Sequence, residues 1–166
     1  MKLKDYFKKK SSSKKENFES SSLEETIEIG KYIAKNYIKD HSLILLNGDL
    51  GVGKTALVKG IFSFFNVHDE ILSPTFAWKK DYKSLFKTKQ ITLTHYDLYL
   101  RENLFSEEIS IIQEDLLSGI VLVEWANNYN FNLQNKNIVN IKIDLVNINE
   151  KNENQNTIKI EIEVFK

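Results

Sequence analysis

Residues Gly48 to Thr55 read GDLGVGKT and fit the pattern G-x-x-x-x-G-K-[ST] at every fixed position. Residue type and spacing together define the chemistry. Glycines let the backbone curl until several N–H groups converge on one anion, and a helix starting near Gly53 adds its positive dipole end. In that pattern Lys54 reaches the β- and γ-phosphates of a nucleotide and the Thr55 hydroxyl takes Mg²⁺. The candidate cofactor-binding run is Gly48, Asp49, Leu50, Gly51, Val52, Gly53, Lys54, Thr55 and Ala56. The bland alternative is a glycine bend that merely joins a strand to a helix.

Phosphates held in this way need a carboxylate at the end of a neighbouring strand, to hold or orient Mg²⁺ and the attacking water. Asp97 closes "ITLTHYD" and Glu124 closes "GIVLVE". In a parallel α/β sheet both strand ends face the crevice that the glycine turn occupies. Glu124, Asp97 and Lys54 are therefore the candidate catalytic residues, and Thr55, Asp97 and Glu124 the candidate metal set. Either acid alone also reads as a solvated strand-end carboxylate. The chain's one proline stands in "SPTF", residues 73–76. Pro74 stiffens that segment and holds Ser73 extended. Thr75 either approaches the γ-phosphate or Mg²⁺, as a switch-loop threonine does, or belongs to a rigid turn before a strand. Trp125 either flanks the nucleotide or packs in the core. His95 reads first as a strand-packing histidine and second as a site residue.

The elements that position these groups follow from periodicity. "SLEETIEIGKYIAKNYIKD" predicts a helix capped by Ser22, with Glu25 completing a capping box and Ile29, Ile33 and Tyr37 on one face. "SLILLN" is a short buried strand before the turn. "TALVKGIFSFF" repeats Leu57, Ile61 and Phe65 at intervals of four, a second helix. "ITLTHYDLY" and "GIVLVEW" read as strands, the latter apolar throughout as in a central parallel strand. Between them "SEEISIIQEDLLSG" predicts a helix with Ser106 as cap and Gly119 as stop. Strict alternation in "NIVNIKIDLVNI" and "NTIKIEIEVF" predicts a β-hairpin joined by an Asn/Glu-rich loop at 149–156. The order implies an α/β sheet with some antiparallel strands at one side.

Composition bounds the rest. A chain of 166 residues, 42% hydrophobic and 28% charged, is the size and make-up of one globular domain. Without cysteine there is no disulfide, no thiolate catalysis and no Cys-based zinc site. The formal net charge of zero gives no broadly basic nucleic-acid face. No apolar run is long enough to span a bilayer and the start lacks a signal-peptide pattern, so a cytoplasmic location is expected. "MKLKDYFKKKSSSKKENFESSS" reads as a disordered basic tail, placing the domain at 21–166 and the tail at 1–20.

"GDLGVGKTALVKG", "SPTF", "HYDLY" and "VLVEW" stand in the order and approximate spacing of the bacterial TsaE (YjeE) family, and "SLEETIEIG" resembles that family's start. The resemblance covers roughly residues 21–146. It implies a P-loop NTPase-type fold, a three-layer α/β sandwich whose mixed sheet carries an antiparallel β-hairpin at its C-terminal end. It also implies a small ATPase that assists N6-threonylcarbamoyladenosine formation at position 37 of tRNA. The family does not transfer the threonylcarbamoyl group. It binds the TsaD–TsaB complex and keeps it turning over by ATP binding and hydrolysis, meeting tRNA only through that complex. By this resemblance Gly48 to Thr55 holds ATP, Asp97 and Glu124 serve metal and water, Ser73 to Phe76 is a switch-like loop and Trp125 flanks the site. Three positions depart from the family pattern. Ala56 replaces a second threonine, Leu100 follows Tyr99 with Arg101 one place later, and Ala126 replaces a proline.

Three other classes compete. A small nucleoside or metabolite kinase uses arginine-bearing lids, but Arg101 is the only arginine in the chain. A GTPase needs N-K-x-D after a strand, and "NKNI" at 135–138 lacks the aspartate. A module that binds nucleotide without hydrolysing it is compatible with every motif above.

Overall fold

The computed structural model of the chain describes residues 13–101, 104–126, 137–147 and 156–165. Seven strands and three helices follow in the order β1 (Ser13–Ser20), α1 (Leu23–Tyr37), β2 (Leu43–Gly48), α2 (Lys54–Phe64), β3 (Lys79–Phe86), β4 (Lys89–Asp97), α3 (Ser106–Ser118), β5 (Ile120–Glu124), β6 (Ile138–Asn147) and β7 (Thr157–Phe165). They build one sheet in the spatial order β1-β7-β6-β2-β5-β4-β3. The middle of the sheet, β6-β2-β5-β4, is parallel, while β7, β1 and β3 add on antiparallel.

Pleat alternation with helices on both faces explains why β2 and β5, at the centre, are apolar along most of their length. Ile44 and Leu46 of β2 point to the face covered by α1 and α2, where they pack with Ile33, Leu57, Ile61 and Phe62. Leu43 and Leu45 point to the opposite face and pack with Val121, Val123, Ile112 and Leu116 beneath α3. The result is the expected three-layer α/β sandwich.

Helix α1 is capped by Ser22 as the sequence predicts, but the return bond of the predicted capping box falls one residue earlier, on Ser21. Ser22 is the cap and its side chain accepts from Glu25 N at 3.1 Å, while Glu25 Oε2 accepts from Ser21 N at 2.7 Å. Helices α1 and α2 cross where two glycines meet. A Cβ on Gly60 would stand 2.1 Å from Ile27 O, and one on Gly30 would stand 2.5 Å from Leu57 O. Only hydrogen fits there, so the helices pack backbone to backbone.

Several expectations change. Residues 13–20, read as part of a tail, form edge strand β1, paired with β7 from Ser13↔Phe165 to Ser20↔Ile158. The Lys/Ser/Glu composition hid this, because an edge strand needs only a backbone partner and can carry charge outward. Phe18 packs against the core and Ser20 is buried, so the ordered domain starts before residue 21. The rest of the predicted tail, 1–12, lies outside the described residues. Strand β3 was not predicted. It pairs with β4 through a turn whose central residues, Lys87 and Thr88, have φ of 46° and 68°. Such a turn is usually signalled by Asn-Gly, which is absent here. Antiparallel strands thus flank the parallel middle on both sides. Ser106 is the first helical residue of α3 and not its cap. Phe105 takes the cap position and its N–H donates to Glu108 Oε2 at 2.9 Å. Gly119 ends α3 as expected. The β6–β7 hairpin is present, and all but Asn156 of its predicted loop lies outside the described residues.

Candidate functional site

Strands β2, β5 and β4 run parallel and end together, so Gly48, Glu124 and Asp97 reach one edge of the sheet. The register pairs Leu46 with Glu124 and Asp97 with Glu124. This places two carboxylates side by side beyond the turn that links β2 to α2.

That turn has the backbone its glycines allow. Gly51 and Gly53 have φ of 74° and 105°, where a side chain would be strained. A Cβ on Gly51 would meet nothing within 4 Å, so the loop is open on that side. Helix α2 starts at once behind it, with no side-chain cap and no acid in its first turn. Its first N–H groups therefore have no side-chain acceptor, the arrangement that favours an anion.

Lys54 is almost buried. Its ammonium donates to Gly48 O at 2.8 Å and Asp49 O at 2.7 Å, and sits 4.4 Å from the Trp125 ring centroid. Burial pushes its pKa below the ordinary lysine value, against the pull of Glu124, Asp97 and Asp49. Trp125 has φ 62°, a left-handed conformation that costs a non-glycine residue about 1–2 kcal/mol. Its main-chain N–H donates to Leu46 O at 3.1 Å and its ring packs on Tyr99 with centroids 4.9 Å apart. The first contact fixes the backbone at Trp125 and the second holds the indole over the lysine.

Asp97 is buried and accepts three hydrogen bonds. Ser73 Oγ and Thr75 Oγ1 both donate to Oδ2, the latter at 2.6 Å, and Tyr99 N donates to Oδ1 at 2.9 Å. Pro74 helps hold the loop, since its carbonyl accepts from Trp78 N at 2.6 Å. Glu124, also buried, accepts from His95 Nε2 at 2.8 Å.

A cleft of about 460 Å³ collects these groups, lined among others by Lys54, Thr55, Thr75, Asp97, Glu124 and Trp125. Leu50, Gly51, Gly53 and Ala56 line it as well, whereas Gly48, Asp49 and Val52 do not. Val52 and Ala56 border a second cleft of about 370 Å³ on the other side of the turn, walled by Ser20, Ser22, Thr26, Asn156 and Ile158. The two share Leu23, Gly51, Gly53 and Ala56, so they form one trough across the glycine turn. Its hydroxyl-bearing wall at Ser20 and Ser22 went unnoticed in the sequence because it depends on β1. His95 does not line either cleft. Arg101 pairs with Glu108 and stacks 4.4 Å from the Trp78 ring centroid, and is not among the residues lining the trough.

The model of the family described as "Threonylcarbamoyl adenosine biosynthesis protein TsaE" matches residues 20–157. A Rickettsia bellii tRNA threonylcarbamoyladenosine biosynthesis protein TsaE is 38% identical over 127 residues, 74% of this chain and 83% of that protein. The Rickettsia conorii TsaE is 37% identical over 109 residues, 64% of this chain but 58% of the relative's length. The Bacillus subtilis TsaE is 35% identical over 104 residues, 63% of this chain and 62% of that protein. The crystal structure of Bacillus subtilis YdiB superposes with a TM-score of 0.65 over 93% of this chain and 88% of that one, at 21% identity, which speaks to the fold alone. With a matched model that spans well over half of the chain and takes in strands β2 to β6, the chain belongs to the TsaE family, of threonylcarbamoyl adenosine biosynthesis.

Proposed function

We propose that the protein is a Mg²⁺-dependent ATPase that binds the TsaD–TsaB transferase complex and sustains N6-threonylcarbamoyladenosine formation on tRNA, which it meets only through that complex, in the cytoplasm. The observation that carries this reading is the convergence of Lys54, Thr55, Asp97 and Glu124 on one cleft at the uncapped start of α2. Phosphate oxygens suit the N–H groups there, and Lys54 is held close by two main-chain carbonyls that it can exchange for them. The donors offered by Thr55, Asp97 and Glu124 are all oxygen, the chemistry Mg²⁺ prefers. Bound Mg²⁺ would neutralise charge on the β- and γ-phosphates. The second cleft offers the ribose and base of ATP a hydroxyl-bearing wall. Glu124 orients the water, and Thr75, already bonded to Asp97, responds to the γ-phosphate.

With Arg101 engaged by Glu108 and Trp78, the cleft contains lysine but no arginine to neutralise transition-state charge. The isolated protein is therefore a slow ATPase that its partners accelerate. The same observation disfavours a small-molecule kinase.

Phosphate release measured with and without TsaD and TsaB tests the reading. Lys54→Ala should abolish tight ATP binding. Glu124→Ala should spare binding and cut turnover by roughly 100-fold or more. Normal hydrolysis by the Glu124 variant would remove that residue from its role. Fast turnover unaffected by the partners would refute the accessory ATPase. Transfer of phosphate to a small acceptor would favour a kinase.

A further inference from the structure

We infer that His95 is a positioning residue for Glu124, a role that rests on the ATPase reading above. His95 stands two residues before Asp97 on β4, so both side chains leave the same face of the strand. The parallel register sets His95 beside Leu122 and Asp97 beside Glu124. His95 therefore sits one step behind the two carboxylates, beneath the cleft floor. Its ring is fully buried and lies edge-on to Phe62, with centroids 6.0 Å apart and planes at 76°.

The polar bonding of that ring is one-sided. Nε2 lies 2.8 Å from Glu124 Oε1, while Nδ1 is buried with no hydrogen-bond partner. A histidine kept only to fill the core gains nothing from a nitrogen without a partner, and an apolar side chain would pack there without that cost. What the imidazole supplies is one N–H aimed at one carboxylate oxygen. Holding Oε1 from below narrows the rotamers open to Glu124 and leaves its other oxygen free for the cleft that the residue lines. A flexible glutamate in the same place would visit several rotamers, few of which would orient a water.

Two amides of similar size separate positioning from filling. In His95→Gln the side-chain amide reaches the place of Nε2, whereas in His95→Asn it reaches only that of Nδ1. Both leave a polar group in the same core. Affinity for N-methylanthraniloyl-ATP, melting temperature and ATP turnover are measured for each, with TsaD and TsaB present. His95→Asn should bind the nucleotide within about threefold of the parent yet lose roughly 100-fold in kcat, as expected when a reacting group is misplaced. His95→Gln should recover most of that rate. Equal rates for the two amides, or a loss that appears in KM and not in kcat, would overturn the positioning role. If the parent binds the analogue but releases no phosphate even with partners, the ATPase reading falls and the positioning role with it. If the parent turns over and the two amides are alike, only the role of His95 falls.

Discussion

At the scale of single residues, the two buried carboxylates differ in their partners: Asp97 takes donors from the loop through Pro74 and from Tyr99, and Glu124 takes one from His95. Lys54, Asp97 and Glu124 could be read directly, because a glycine turn and two apolar runs each ending in an acid leave few other arrangements. The donors on Asp97 and the bond from His95 to Glu124 could not. They depend on the register of β4 against β5 and on where the loop through Pro74 folds back, neither of which is encoded locally. Tyr96 is another case. It alternates with His95 and Asp97, so it faces α3, where its hydroxyl donates to Asp115, which Lys79 also meets at 2.8 Å. Burial first, then Asp115, pushes the Tyr96 pKa well above the ordinary 10.0. An unfolded chain ionises this tyrosine near pH 10 while the native state keeps its proton. The stability it contributes is therefore complete below that pH and falls as the pH rises above it. Tyr96→Phe should cost about 1 kcal/mol at neutral pH for the lost hydrogen bond. It should also flatten the alkaline decline, as measured by denaturant titrations at several pH values. An unchanged alkaline limb would assign that decline to other groups.

At the scale of elements, the parallel strands do most of the positioning. Inter-strand spacing in a sheet is close to 4.8 Å, so neighbouring strand ends carry Asp97 and Glu124 to fixed places without help from loops. Strands β2 and β5 were legible because buried parallel strands are apolar along their length, and β4 because it mixes β-branched and aromatic residues. Strands β1 and β3 were not, because an edge strand can be polar and the Lys87–Thr88 turn lacks its usual residues. The crossing of α1 and α2 at Gly30 and Gly60 was also invisible, since a glycine within a helical pattern reads as a local defect. It has a structural purpose here. Gly60→Ala would press a methyl onto Ile27 O and drive the helices apart, costing about 1–3 kcal/mol or more. Because α1 begins beside the second cleft and α2 begins at the glycine turn, the variant should also weaken binding of the fluorescent nucleotide. Thermal melting and titration would read both effects. A variant as stable as the parent would show that the helices can separate freely.

At the scale of the molecule, the sheet is completed by its first strand. Strand β7 presents Ile158, Ile160, Ile162 and Val164 to the core, and β1 covers the edge that it would otherwise expose. Removal of residues 1–20 should leave that edge open, lower the melting temperature and promote self-association, an outcome that light scattering would detect. The same truncation removes Ser20, whose hydroxyl is hydrogen-bonded to Thr26 Oγ1 at 2.8 Å and lines the second cleft. Nucleotide affinity should therefore fall along with stability. A truncated chain that melts and binds like the parent would make β1 dispensable.

The pairing of β1 with β7 also bears on how the protein is made. Ser20 lies beside Ile158, and both of them wall the second cleft. During synthesis the first strand waits for its partner until the last has left the ribosome, although the glycine turn has emerged long before. Contacts so distant in sequence form late and slowly. A growing chain would thus display its glycine turn well before the clefts on both sides of that turn were complete. On the ATPase reading proposed above, added nucleotide would stabilise only chains in which β1 and β7 had paired.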